Sequence, residues 1–274
     1  REKTAFGTGR CRLVFEYLPV DAYIAVSGYY ERLMRRFGAQ PIHRVYLGVD
    51  TVKFRSAPRA EARLRHNLSD EDFVVTCLAR LKPRKGILDL VQATARAVDR
   101  LPSLRLIIAG TTSSASSAYA QEIQDEVRKL RLTGTVRLVN DLRHDGVPSL
   151  LQASDVAVQP SYTEGLGLAV IEAMSCGIPV IATRATGLSE IVKDGENGLQ
   201  VEVGNRGELA RAITRMATDP RLRARLSSSG RKAVEKWFSL DRMVNETSSI
   251  YQTVIDDAKQ YKRVRVPRNG GLLE

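Results

Sequence analysis

Two carboxylates stand eight positions apart across a glycine-rich turn in Glu164-Gly165-Leu166-Gly167-Leu168-Ala169-Val170-Ile171-Glu172-Ala173. The segment follows an apolar run ending at Pro160 and leads into residues of helical period. Eight helical steps span roughly 12 Å. That matches the reach of a nucleotide-sugar from sugar ring across diphosphate to ribose. Such a turn leaves the main-chain N–H groups of Leu166 to Ala169 without helical partners and sets the positive end of a helix dipole behind them, which suits a diphosphate. A carboxylate offers two acceptor oxygens to a vicinal diol, and ribose and hexose both carry one. A plainer reading is equally open: Glu164 caps the helix against its dipole and Glu172 is solvated.

A second cluster, Arg80-Leu81-Lys82-Pro83-Arg84-Lys85-Gly86, follows the apolar run Phe73 to Leu78. Arg80 and Lys85 bracket a turn that Pro83 stiffens. Two fixed cations there would neutralise a leaving diphosphate without a metal. Taken alone, the cluster also reads as a solvated basic loop. Asp70-Glu71-Asp72 has a metal-diphosphate form, but it precedes a strand, so a solvated turn is the expected reading.

The elements that position these residues alternate. Strands are expected at Phe73–Leu78, Leu104–Ala109, Val136–Val139, Val156–Pro160, Pro179–Ala182 and Gly198–Val201. Helices are expected over Gly86–Arg100, Tyr119–Leu130, Val147–Ala153, Ala169–Ser175, Gly207–Ala217 and Arg221–Trp237. The pattern predicts an α/β fold, a doubly wound parallel sheet covered by helices on both faces. Ligands of such sheets sit beyond the carboxyl ends of the strands, where both clusters fall. Upstream, Ala22–Val26 and Val45–Leu47 read as strands around a helix at Glu31–Phe37, a remnant of another domain over residues 1–47. A linker is expected over 48–57, the main domain over 58–250, and a helix end with a basic tail over 251–274.

The chain has 274 residues, 43% hydrophobic and 27% charged, with a net charge of +11. That composition fits a globular protein with a buried core. The surplus positive charge points to anionic partners without choosing among them. Apolar runs are too short to span a membrane. Cys11, Cys77 and Cys176 are isolated, and His43, His66 and His144 are scattered. Neither set makes a disulfide framework or a metal site, and a reducing, cytoplasmic setting is expected. No GxGxxG, P-loop or GxSxG occurs. Aromatic residues are not interleaved with basic ones, so no nucleic-acid partner is expected.

Pro160 to Leu168, then Ile171-Glu172-Ala173-Met174 and Gly177-Ile178-Pro179-Val180-Ile181-Ala182, resemble the signature of the family 4 retaining glycosyltransferases. Ala79-Arg80-Leu81 with Lys85-Gly86 is similar to that family's diphosphate-binding stretch. Gly187 to Val192, Asp194 to Leu199, Ile24 to Ser27 and Gly48-Val49-Asp50 with Phe54 extend the likeness, from about Asp21 to Tyr251. Leu47, Asn140 and the Thr/Ser loop after Gly110 depart from it.

The resemblance implies a GT-B fold in which this chain supplies mainly the Rossmann-like donor-binding half. It implies a catalytic set of Arg80, Lys85 and Glu164, with Arg80 and Lys85 on the diphosphate. Glu164 with the amides of Gly165, Leu166, Gly167 and Leu168 would hold the sugar and distal phosphate, and Glu172 the ribose. A base pocket near Val139 to Arg143 and no metal or other cofactor are implied as well. The substrate would be a UDP- or GDP-linked sugar, the acceptor an unspecified hydroxyl, and contact with an anionic membrane is open. Two alternatives belong to other classes. One is a non-catalytic nucleotide-sugar-binding module or split-enzyme subunit. The other is a nucleotide-sugar epimerase of the same fold.

Overall fold

β-branched and leucine-rich runs with no polar face form the strands that carry the two clusters. The computed structural model describes residues 15, 20–110, 117–140 and 142–265. Its chain divides into two compact units, the cuts falling between Tyr46 and Leu47 and between Leu240 and Asp241.

In the first unit, β1 (Tyr23–Ala25) and β2 (Ile42–Arg44) pair in parallel around helix α1 (Gly28–Arg36). The second strand lies three residues earlier than the expected Val45–Leu47. Tyr23 N donates to Pro41 O at 2.9 Å, which sets the register from Ile42 onward, and Val45 reaches β1 only through its N–H to Ala25 O. Helix α1 also begins earlier than expected, because the Ser27 side chain accepts from Tyr30 N and caps it.

In the second unit the order is α2 (Arg59–Arg65), β3 (Phe73–Leu78), a 3₁₀ turn at Pro83–Lys85, α3 (Ile87–Ala97), a 3₁₀ turn at Val98–Arg100, and β4 (Leu104–Ala109). Then come α4 (Ser117–Lys129), β5 (Val136–Val139), α5 (Val147–Gln152), β6 (Val156–Gln159), α6 (Leu168–Ser175) and β7 (Val180–Thr183). Helix α7 (Leu188–Ile191), β8 (Leu199–Val201), α8 (Arg206–Thr218) and α9 (Pro220–Trp237) complete it. Helices α2 and α7 had no counterpart in the expected pattern. A last helix, α10 (Leu240–Arg265), continues beyond Lys262, where a tail was expected; residues 266–274 lie outside the described residues.

All six strands of this unit are parallel, in the order β5-β4-β3-β6-β7-β8. The chain therefore starts at the centre, winds to one edge, and returns to the other side of β3. The order reverses between β3 and β6, and the carboxyl ends of those two strands border the crevice that such a reversal opens. Phe73, Val75 and Cys77 face the large core shared with α3, α4 and α8, while Val74 faces a second core with Ile107, Ala109 and Leu150. Burial on both faces explains why β3 reads as a continuous apolar run rather than an alternating one. Burial pushes the thiols of Cys77 and Cys176 up to about 12, and both are unpaired; Cys11 lies outside the described residues.

The opposite, amino-terminal rim is held together by ion pairs and hydrogen bonds. Asp155 accepts from Arg63 Nη2 at 2.8 Å and Val74 N at 2.7 Å, and pairs with Arg59 at 2.7 Å. Arg63, 1% exposed, also donates to the carbonyls of Ser69, Asp70 and Asp72. Asp72 pairs with Arg105 at 3.2 Å and accepts from Ser69 N at 2.8 Å. Asp72 is thus a packed part of this rim, while Asp70 and Glu71 are exposed, as expected of a solvated turn.

Candidate active site

Lys85 and Glu164 meet in an ion pair at the carboxyl ends of β3 and β6. Each comes from the loop its strand feeds, so the crossover topology itself brings together residues 79 positions apart. Both are largely buried, their side chains 10% and 14% exposed. Ser161 Oγ lies 3.4 Å from the same Glu164 oxygen and accepts from Gln159 Nε2 at 2.8 Å. Thr186, just past β7, donates its hydroxyl to Glu164 O at 2.5 Å and accepts from Glu164 N at 3.3 Å. Gly187 N adds a bond to Glu164 O at 3.0 Å. The carboxylate therefore stands on a backbone fixed from a third strand.

Close approach of the two loops depends on glycine. Gly86 has φ +65°, and a Cβ there would lie 2.0 Å from Pro160 O. A Cβ on Gly187 would lie 2.3 Å from Gly165 O. The β6 loop is also clamped to α3. Tyr162 donates its hydroxyl to Asp89 Oδ2 at 2.6 Å, and Arg206 Nε donates to Asp89 Oδ1 at 2.7 Å. Tyr162 N donates to Arg84 O at 2.8 Å. The bond to Asp89 pushes the Tyr162 phenol above its ordinary value, with partial burial acting the same way.

Beyond Glu164 the chain turns through Gly165 and Leu166 to Gly167, the residue before α6. The N–H groups of Gly165, Leu166, Gly167, Leu168 and Ala169 donate to no acceptor among the described residues. The first bonds of α6 are those of Val170 and Ile171 to Gly167 O. Five free donors at a helix start make an anion cradle. Leu166 is 3% exposed, so its side chain belongs to the core and only its amide is available.

Arg80 sits just past β3 on the same sheet edge, exposed, with no ion pair among the described residues. Glu172 lies one turn into α6. Its side chain is 16% exposed, with Oε1 3.6 Å from His144 Nε2. His144 Nδ1 is 3.0 Å from Lys53 Nζ, and its ring packs edge-on against Phe54 with centroids 5.8 Å apart. Burial raises the Glu172 carboxyl to about 7, with Lys53 pulling the other way.

The expected residues thus form two adjoining groups. Lys85, Glu164 and the amide turn make one; Glu172 makes the other with two partners, Lys53 and His144, that sequence reasoning missed. Ser161, Thr186 and the Asp89 clamp were missed too. A hydroxyl and a glycine at the carboxyl end of β7 were the available signal for Thr186. His144 carried none, since its proximity to Glu172 arises only from the β5-to-α5 loop. That loop is where a base pocket was expected; Asp141 in it lies outside the described residues, as do residues 111–116 of the Thr/Ser loop. Among the described residues no group of three or more His, Cys, Asp or Glu could hold a metal ion, and no helix is long and apolar enough to cross a membrane.

Comparison with known proteins adds the following. The family described as glycosyl transferases group 1 matches residues 58–233. A D-inositol 3-phosphate glycosyltransferase of Streptomyces bingchenggensis is 31% identical over 242 residues, covering 86% of this chain and 52% of that protein. The chain spans about half to three-fifths of the length of the curated relatives it matches. Sucrose-phosphate synthase of Thermosynechococcus elongatus superposes with a TM-score of 0.83 at 28% identity, over 94% of this chain and 64% of that one. HepE of Anabaena, solved with UDP and glucose and again with UDP-glucose, superposes at 0.81 in both cases. In the complex with UDP and glucose, identity is 27%, and 91% of this chain and 67% of that one are covered.

Proposed function

Because this chain belongs to the glycosyl transferases group 1 family, we propose that the crevice between β3 and β6 holds a nucleoside diphosphate sugar and that the chain is the donor half of a retaining, family 4 glycosyltransferase. One observation carries this reading: Lys85 from one loop and Glu164 from the other meet beside five main-chain N–H groups that have no acceptor. The presence of UDP and of UDP-glucose in HepE supports it.

The residues divide the donor among them. The amides from Gly165 to Ala169, with Lys85 and Arg80, take the diphosphate. Glu164 takes sugar hydroxyls and Glu172 the ribose diol. During transfer the bond from the anomeric carbon to the diphosphate oxygen breaks, and the nucleoside diphosphate leaves with the electron pair. The acceptor oxygen bonds to the same face of that carbon and passes its proton to the departing diphosphate oxygen. Charge builds on the departing oxygens, where fixed cations and amides stabilise it most. Glu164 neutralises Lys85 in this structure. Donor binding exchanges that carboxylate for the diphosphate and frees Glu164 for the sugar.

Calorimetric titration with UDP-glucose and GDP-mannose tests the assignment. Lys85→Ala removes a charge-assisted bond worth about 1.5–3 kcal/mol, so affinity for the bound donor should fall about tenfold to a hundredfold. Glu164→Ala should weaken the NDP-sugar more than the free nucleotide. Unchanged donor affinity in Lys85→Ala takes Lys85 out of the site, and a larger loss for the free nucleotide in Glu164→Ala reverses the roles.

A further inference from the structure

Helices α3 and α8 pack side by side on the face of the sheet that carries the large core. A groove of about 640 Å³ runs along their outer surface. Arg96 and Arg100 line it from α3 and the 3₁₀ turn that follows, and Arg211 and Arg215 from α8. Asp99 is the one acidic residue in the lining. All four arginines are exposed, and none is in an ion pair among the described residues. Other surface arginines of this chain do find carboxylates, as Arg128 finds Asp125 and Arg231 finds Glu235.

The guanidinium groups also converge. A Cβ built on Gly207 would stand 3.5 Å from Arg211 Nη1 and 3.6 Å from Arg96 Nη1, with the capping Asn205 Oδ1 at 3.5 Å. Two guanidinium nitrogens within 3.6 Å of one point, where Gly207 contributes no side chain, form a receptor for tetrahedral oxyanions. Like charges held this close repel, and an anion relieves that repulsion.

We propose that this groove is a second anion site, which binds a small soluble oligophosphate carrying at least two phosphate groups. Its volume lies in the range of small-ligand clefts, roughly 300–1,000 Å³. Four arginines spread over two helical turns exceed what one phosphate can occupy. No aromatic residue lines the groove, so single-stranded nucleic acid lacks its stacking surface. No exposed large apolar residue lines it either, so a membrane lacks an insertion wedge. The groove's lining shares no residue with the proposed donor site: Arg80, Lys85, Glu164, Glu172 and the amide turn are absent from it.

The probe is inorganic tripolyphosphate, titrated calorimetrically in the Lys85→Ala background so that the donor crevice is weakened. Binding should persist there and should fall at least roughly tenfold for each arginine when Arg96→Gln and Arg211→Gln are added. The lysine pair Arg96→Lys and Arg211→Lys should lose less, because it keeps the charge. A thermal melt should show each variant folded, since the replaced side chains are exposed and unpartnered. Equal tripolyphosphate affinity with and without the glutamine pair overturns the proposal. So does a result in which that pair abolishes binding to phosphatidylglycerol vesicles or to an oligothymidylate while tripolyphosphate never binds. Failure of the donor reading would show instead as unchanged NDP-sugar affinity in Lys85→Ala, whatever the groove does.

Discussion

Glu172 is the residue whose chemistry depends most on its surroundings. Its carboxyl, ordinarily at 4.5, is raised to about 7 because α6 and its neighbours remove it from water. The folded state therefore holds this proton over a window, from 4.5 to about 7, in which the unfolded chain has released it. Stability from this group is present in full at low pH and falls as pH rises through that window, by on the order of 3 kcal/mol at about 1.4 kcal/mol per pH unit. Binding should run the other way. A carboxylate accepts two ribose hydroxyls, whereas the protonated group accepts less well. Affinity for an NDP-sugar, which has no phosphate proton titrating near neutrality, should climb as pH passes about 7. Glu172→Gln should abolish that climb in a calorimetric pH series and flatten the fall in stability. That Lys85 and Glu164 stand at the carboxyl ends of neighbouring strands was legible from sequence, because the turn and the strand ends are local signals. The Lys53–His144–Glu172 contact was not, since nothing near His144 in the chain marks it.

At the scale of elements, the site rests on two loops held closer than side chains allow. Gly86 follows the 3₁₀ turn in a left-handed conformation with its α-carbon against Pro160 O. Gly86→Ala places a methyl group where a carbonyl oxygen stands and forces an unfavourable φ, at about 1–3 kcal/mol for the backbone alone. The expected outcome is a lower midpoint in thermal denaturation together with weaker donor binding, because the β3 and β6 loops must part and carry Lys85 from Glu164. A stability loss with full donor affinity would show that the loops need not touch for binding. β3 and β4, buried on both faces, have the bounds that their apolar runs predict, and so does the edge strand β5, although Arg137 in it is exposed. Helix α2 was missed because Arg59-Ala60-Glu61-Ala62-Arg63-Leu64-Arg65 shows no apolar stripe; it is anchored by Arg63 in the carbonyl cage and Asp155. The displaced β2 has a similar cause, since its register comes from a partner strand and Val45 is buried without pairing along its length.

For the molecule as a whole, one sheet reversal explains why distant segments converge. The centre-out, centre-back winding puts the β3 and β6 loops side by side at the carboxyl edge, while the other end of the strands carries the Arg63–Asp155 ionic network. The central claim is that the diphosphate of a nucleotide-sugar lies on the turn between Glu164 and α6. Hydrogen exchange tests it most directly, because the amides of Gly165 to Ala169 have no acceptor among the described residues. Exchange should be compared with and without an NDP-sugar at concentrations where calorimetry shows the site filled. Marked slowing across residues 165–169 is the predicted result. Unchanged exchange there, with the ligand bound, would contradict the account.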